Sequence, residues 1–329
     1  MPDHLARLQR FLVSRSQPVE GVALTADAST REYFRITWHG GPAVACVYPS
    51  PFDATTHSYL DVTRLFLAGG LPVAEILDVD GDLGVIVLDD LGDRILRELL
   101  IETGDTSRLL DEAISLIARI QTATPLAYDT DSIASRLTFD AEKLGWELRY
   151  FKDHYFGTYM KTPLSADDDR ELSEEFDQIS NELASLASVL CHRDFHAANL
   201  MLDTKNKMRI IDHQDARIGS PTYDLVSLLL DRITEPPSRE WLAEKRRYFL
   251  DLRTKFGLPR LDEETFANEF RLQTIQRCLK AAGTFSYQSE MRGKIYFIPF
   301  IKPMFRISYR AAESLGRFPH LRRILSKYF

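Results

Sequence analysis

The amino-acid sequence predicts an α+β fold, a small N-terminal lobe built on an antiparallel sheet followed by a large, mainly helical C-terminal lobe. Three observations carry this expectation. β-Rich runs joined by tight turns crowd the first ninety residues, helical periodicity dominates from Arg94 onward, and one β-rich island at 200–203 and 208–211 interrupts the helices. The division is placed at 1–90 and 91–329.

Residues 4–15 carry Leu5, Leu8, Phe11 and Leu12 at three- and four-residue spacing, so one helix face is apolar and packs on the sheet that follows. Residues 33–38 and 43–48 read as strands, and His39-Gly40-Gly41-Pro42 turns one into the other because glycine permits the tight reversal. A short helix is expected at 56–67, a turn at Asp80-Gly81-Asp82, and an inner strand at the compact apolar run 85–88. Helical patterns then occupy 109–121, 139–151, 171–190, 223–230, 239–256, 263–281 and 301–314. Within the island, the polar turn 204–207 joins two short strands.

Composition narrows the functional classes. Apolar residues make up 44% and charged residues 27% of 329, enough for a sizeable core and unlike a disordered chain. A net charge of -7 argues against nucleic acid or anionic lipid as partner, although Arg31 and Arg35 can still present a local positive charge. Cys46, Cys191 and Cys278 are odd in number and widely spaced, which fits a reducing compartment and no metal pair. The amino terminus mixes charged with apolar residues, unlike a secretory signal, and no window approaches ~18 apolar residues. A cytoplasmic monomer with a small-molecule partner is expected.

The chemistry concentrates at Cys191-His192-Arg193-Asp194-Phe195-His196-Ala197-Ala198-Asn199. His-Arg-Asp with Asn five residues after the Asp is the spacing of a phosphoryl-transfer catalytic loop, in which the Asp accepts or orients the acceptor's proton and the Asn holds a divalent cation. Thirteen residues beyond Asn199, after the expected hairpin, an apolar strand ends in Asp212, a sensible second Mg²⁺ ligand. Asp215 is open between a loop contact and an acceptor contact. His192 reads as a loop support, and Cys191 as core packing rather than a nucleophile.

These motifs resemble the aminoglycoside phosphotransferase and choline kinase superfamily over nearly the whole chain, in 26–36, 85–93, 189–202 and 210–231. Together with 279–287 they are most similar to the bacterial anomeric N-acetylmuramate/N-acetylglucosamine kinases of cell-wall recycling. The resemblance implies a protein-kinase-like fold, with 1–90 as the nucleotide-binding lobe and 91–329 as the catalytic and acceptor-binding lobe. It implies ATP and Mg²⁺, Asp194 as base, Asn199 and Asp212 as metal ligands, and Asp224 as a support of the loop. Leu88, Asp89 and Leu91 fall where backbone binds the adenine edge, the carboxylates of Asp89 and Asp90 being expected in solvent.

Ser29, Thr30 and Arg31 lie where such kinases place a phosphate loop, without a glycine-rich pattern; a plain turn with a solvated arginine is an equal reading of the loop alone. The strand at 43–48 lacks the superfamily's phosphate lysine, so Arg31 or Arg35 is expected to supply that charge. His196, Asp215 and Arg217 are candidate acceptor contacts. The aromatic residues of 139–159 suit either a sugar face or helix packing, packing being favoured. Against the amino-sugar kinase stand an aminoglycoside or choline-like kinase and a non-catalytic binding protein.

Overall fold

The computed structural model describes residues 4–24, 30–102 and 106–329. Chain order begins α1 (His4–Ser14), β1 (Gly21–Leu24), β2 (Glu32–Trp38), β3 (Gly41–Val47), α2 (Ser58–Ala68), β4 (Ile76–Asp80), β5 (Val85–Asp89), β6 (Arg94–Ile95) and α3 (Leu96–Glu102). It continues α4 (Thr106–Thr122), α5 (Thr124–Asp129), α6 (Ile133–Arg136), α7 (Ala141–Lys152), a π-helical turn Asp153–Tyr159, α8 (Ala166–Ser185) and β7 (Val189–Cys191). After the 3₁₀ turn Ala197–Asn199 come β8 (Leu200–Leu202), β9 (Met208–Ile210), β10 (Arg217–Gly219), α9 (Tyr223–Leu229), α10 (Arg239–Lys255), α11 (Glu263–Arg292), the 3₁₀ turn Ile295–Phe297, α12 (Ile298–Leu315) and α13 (Pro319–Leu325). The expected α+β class, a small antiparallel sheet and then a larger helical part, is what the chain adopts. No helix among the described residues is long and apolar enough to cross a membrane.

The chain forms two compact units, one of 1–109, 129–133 and 197–215, the other of 110–128, 134–196 and 216–329. The β8–β9 island thus belongs with the sheet unit, a grouping that a single boundary at 90/91 does not express.

In the first unit an antiparallel sheet runs β1-β2-β3-β5-β4. Alternation along the strands divides it into two faces. Leu8, Phe11 and Leu12 of α1 cover one face, meeting Phe34, Ile36, Ala43, Ala45, Val85 and Val87. The other face sends Ile86 and Leu88 toward Leu60 of α2, and Met201 and Ile211 of the island pack against that cluster. β5 lies inside the sheet, as its unbroken apolar run requires.

In the second unit α11 is the central helix. It starts where Asp262 accepts the Thr265 N–H (2.8 Å) and ends at Gly293 in the left-handed conformation, thirty residues long. The expectation stopped at 281, before the weak helix former Gly283. Packing overrides that signal: a Cβ on Gly283 would lie 2.6 Å from the Phe151 Cα, so glycine lets α11 approach α7 closely. The helix expected at 171–190 instead starts after the Ser165 cap and stops at Ser185, because the buried run Val189–Cys191 pairs with β10 as a strand.

Candidate active site

The predicted site residues fall into two groups, one in each compact unit. In the first unit, β8 and β9 set Leu200 opposite Ile210, and at the open end of that ladder the Ile211 N–H donates to the Asn199 carbonyl at 3.1 Å. Asp212 follows with φ +61°, a left-handed conformation that aspartate tolerates better than most side chains. Its Oδ1 accepts from Gln214 Nε2 at 2.9 Å and from Arg31 Nη2 at 3.3 Å. His213 anchors the next position, buried between the rings of Tyr59 and Phe66 and sharing a 2.7 Å hydrogen bond with the Thr63 hydroxyl. The hairpin therefore brings the Asn199 amide and Asp212 carboxylate to the same end of one ladder. Both offer hard oxygen donors, a set that suits Mg²⁺ rather than a thiophilic metal.

The two candidate arginines separate cleanly. Arg31 lies over the rings of Tyr33 and Tyr48, 5.9 and 5.7 Å from their centroids, and Tyr33 is the cross-strand partner of Cys46 in the strand that lacks a lysine. Its guanidinium thus lies on the side of the sheet that carries Tyr33 and Tyr48. Arg35 is bound elsewhere, through Nε and Nη2 to Asp90 (2.6 and 3.1 Å) and through Nη1 and Nη2 to Asp93 (3.1 and 2.9 Å). Asp90, expected in solvent, is therefore a largely buried partner of a guanidinium, because a bidentate pair compensates its desolvation. Leu88 and Leu91 bury their side chains in the core, and the Asp89 N–H donates to the Glu75 carbonyl at 3.1 Å. Thr30 is exposed; Ser29 lies outside the described residues.

In the second unit, β7 delivers the chain into His192-Arg193-Asp194. Arg193 has φ +85°, a costly conformation for a long side chain, and Asp224 restrains it. Asp224 Oδ2 accepts the His192 N–H at 2.6 Å and Oδ1 the Arg193 N–H at 3.1 Å, from the first turn of the wholly buried α9. Burial pushes the Asp224 carboxyl up; His192 and the two N–H bonds work against that. An Asp224→Ala protein is expected to lose about 3 kcal/mol of stability in denaturant unfolding, two buried donors being left without an acceptor. Asp224→Asn, which keeps one acceptor oxygen, should lose less.

Asp194 faces three cations: Arg193 Nε at 3.7 Å, Lys280 Nζ at 3.8 Å and Arg277 Nη1 at 3.9 Å. Burial raises its pKa, but Lys280 and Arg277 outweigh burial and hold the carboxyl well below the usual range, so it is ionised at neutral pH. Lys280 also meets the buried Glu147 at 3.3 Å, whose second oxygen accepts from Gln276 Nε2 at 2.7 Å. Tyr223 completes the wall, its hydroxyl 3.3 Å from Arg277 Nη1. The His196 N–H donates to the Asp194 carbonyl at 3.0 Å, and Arg217, on β10 opposite Cys191, stacks over Phe139 at 5.2 Å. Asp215 is half-buried in the first unit. Burial pushes the Cys191 thiol well up, the opposite of an activated nucleophile.

Sequence reasoning missed Arg277, Lys280, Gln276 and Glu147. A signal existed: Gln273, Gln276, Arg277 and Lys280 recur at three- and four-residue spacing, a polar stripe through the middle of a helix whose neighbouring positions Leu272, Ile275, Cys278 and Leu279 are buried and apolar.

The fold and this loop define a phosphotransferase of the kinase-like kind, acting on a small-molecule acceptor. A profile of the APH phosphotransferase enzyme family matches residues 20–263, and the chain belongs to that family. It is 32% identical over 296 residues to the N-acetylmuramate/N-acetylglucosamine kinase of Neisseria meningitidis serogroup B, covering 88% of this chain and 85% of that protein. It is 28% identical over 292 residues to the N-acetylmuramate/N-acetylglucosamine kinase of Pseudomonas aeruginosa, covering 88% and 82%. Among solved structures, the choline kinase of Streptococcus pneumoniae superposes with a TM-score of 0.55 at 15% identity, over 94% of this chain and 97% of that one, a likeness of fold.

Proposed function

We propose that this protein transfers the γ-phosphoryl group of ATP, with Mg²⁺, to the anomeric C1 hydroxyl of N-acetylmuramate and N-acetylglucosamine, forming the sugar 1-phosphate in the cytoplasm for peptidoglycan recycling. The observation that carries the reading is the setting of Asp194, an ionised carboxylate beside Lys280 and Arg277. Two cations next to the base disfavour a polycationic aminoglycoside or a quaternary ammonium and favour an acceptor with an anionic group, such as the lactyl carboxylate of N-acetylmuramate. The similarity to kinases named for these two sugars supports the same acceptor class.

In this mechanism Asp194 aligns the C1 hydroxyl and takes its proton as the oxygen attacks the γ-phosphorus, the bond to the β–γ bridging oxygen breaks and ADP leaves. Asn199 and Asp212 would hold Mg²⁺, which offsets charge on the transferred group when bound. Arg31 takes the phosphate role of the missing strand lysine, assisted by Ser29 and Thr30, while the backbone of Leu88, Asp89 and Leu91 holds the adenine edge. His196, Asp215 and Arg217 contact the acceptor. Tyr287, two turns beyond Lys280 on α11, has Tyr150 6.1 Å and His154 4.9 Å away, a partly apolar surface for a sugar face.

Incubation with ATP, Mg²⁺ and either sugar, with the product assigned by phosphorus NMR, tests the reading; absence of a C1-phosphate from both sugars sinks it. Lys280→Met should raise KM for N-acetylmuramate about tenfold, near 1.4 kcal/mol of lost attraction, and affect N-acetylglucosamine less. Because Lys280 holds the Asp194 carboxyl down, the same change should move the acid limb of kcat/KM to higher pH, with Lys280→Arg restoring it. An unmoved acid limb would remove Lys280 from the site.

A further inference from the structure

A second concentration of positive charge occupies the second unit, and no residue assigned to phosphate transfer lines it. A cavity of about 310 Å³ lies among α10, α11 and α12, with Arg239 and Arg246 from α10, Arg271 from α11 and Arg310 from α12 in its wall. Arg239 is paired with Glu313 at 3.2 Å. The other three rest on neutral groups: Arg246 on the face of Phe270 at 5.3 Å, Arg271 on the Asn268 side-chain oxygen at 2.6 Å, and Arg310 on the Pro237 carbonyl. Glu240 is the acidic side chain in the wall, and it offsets Arg310 in part, as Glu263 does Arg246.

Burial and then Arg271 push the Arg246 guanidinium down to about 10, and burial and then Arg239 act on Arg310 in the same direction. Like charges are therefore crowded around a space that an anion would fill. Guanidiniums present planar forks of N–H donors, and several converging on one cavity match the terminal oxygens of a phosphoryl group better than a single carboxylate. Leu242, Ile307 and Ala311 supply an apolar wall beside the charges, which suits a ligand with a short carbon skeleton.

We propose that this cavity is a phosphate-binding site, separate from the transfer chemistry, in which Arg246, Arg271 and Arg310 hold the phosphoryl group of inorganic phosphate or of a small phosphomonoester.

The test is thermal unfolding and titration calorimetry on the full chain with a non-hydrolysable ATP analogue and Mg²⁺ saturating, so that the α-, β- and γ-phosphate positions of the nucleotide are filled. Inorganic phosphate and glycerol 3-phosphate are the probes, and glycerol is the control. Either phosphate at about ten times its dissociation constant should raise the unfolding temperature by about 2 °C or more, with glycerol inert. Tighter binding of glycerol 3-phosphate than of phosphate identifies an organic ligand that uses the apolar wall; equal binding identifies phosphate itself. An Arg246→Gln/Arg271→Gln protein should lose the shift while keeping its KM for ATP. Arg271→Gln alone should unfold no lower than wild type in phosphate-free buffer, since it relieves a like-charge contact. No shift in the wild type, a shift retained by the double variant, or a destabilised single variant overturns the proposal. The readout is binding, so it stands apart from whether the amino-sugar assay succeeds.

Discussion

An Asp194→Asn protein is expected to transfer phosphate about 10³-fold more slowly than wild type while binding ATP with unchanged affinity. Asparagine keeps the shape and one acceptor oxygen, but it cannot take the proton of the attacking hydroxyl. It also removes the negative charge that Arg193, Arg277 and Lys280 share, so the thermal midpoint should fall at neutral pH. The sign follows from linkage. Asp194 is held below the ordinary aspartate range in the folded protein, so its ion pairing stabilises at and above the unfolded value and is lost as pH falls through the depressed one. Wild type and variant should therefore converge in stability toward acid. ADP release in a coupled assay, calorimetric ATP binding and unfolding at several pH values read the three effects apart. A variant within tenfold of wild-type turnover would exclude Asp194 as the base.

Arg31→Met should cost about 10²-fold in kcat/KM for ATP, with Arg31→Lys recovering part, as expected for a fixed cation facing phosphate charge. Arg35→Met is the contrast. Its guanidinium is committed to Asp90 and Asp93, so its loss should loosen the segment around Asp90 and lower the unfolding temperature, with a smaller effect on ATP. Equal kinetic penalties for the two variants would remove the distinction between them. Steady-state kinetics with varied ATP, beside thermal unfolding of each protein, decides it.

The parts of the fold legible in the sequence were those whose signal is local. The β2–β3 and β8–β9 hairpins follow from period-two runs around turn residues, and α1, α4 and α10 from helical spacing. β1, four residues on the sheet edge, has too short a run to announce itself, and nothing local marks the π-helical turn at Asp153–Tyr159. The end of α8 was misplaced because Val189–Cys191 becomes a strand only by meeting β10. The site divides in the same way. Asp194, Asn199 and Asp212 stand in one contiguous pattern, whereas Arg31 and Arg35 stayed alternatives in the sequence, because the carboxylates they reach, Asp212 for one and Asp90 with Asp93 for the other, lie far along the chain. Lys280, Arg277 and Glu147 arrive from α11 and α7, far along the chain, and become neighbours through tertiary packing alone.

Gly283 bears on how such a protein could change over evolutionary time. With the Phe151 backbone against it, no side chain separates α11 from α7 there, and the spacing of the two helices is set by main chain rather than by exchangeable residues. Glu147 on one helix and Gln276 and Lys280 on the other are held at that spacing. Side chains along the polar stripe can be exchanged one position at a time while that spacing stays fixed. Widening the spacing of α11 and α7 would require moving a backbone, a step that no single substitution on α11 supplies.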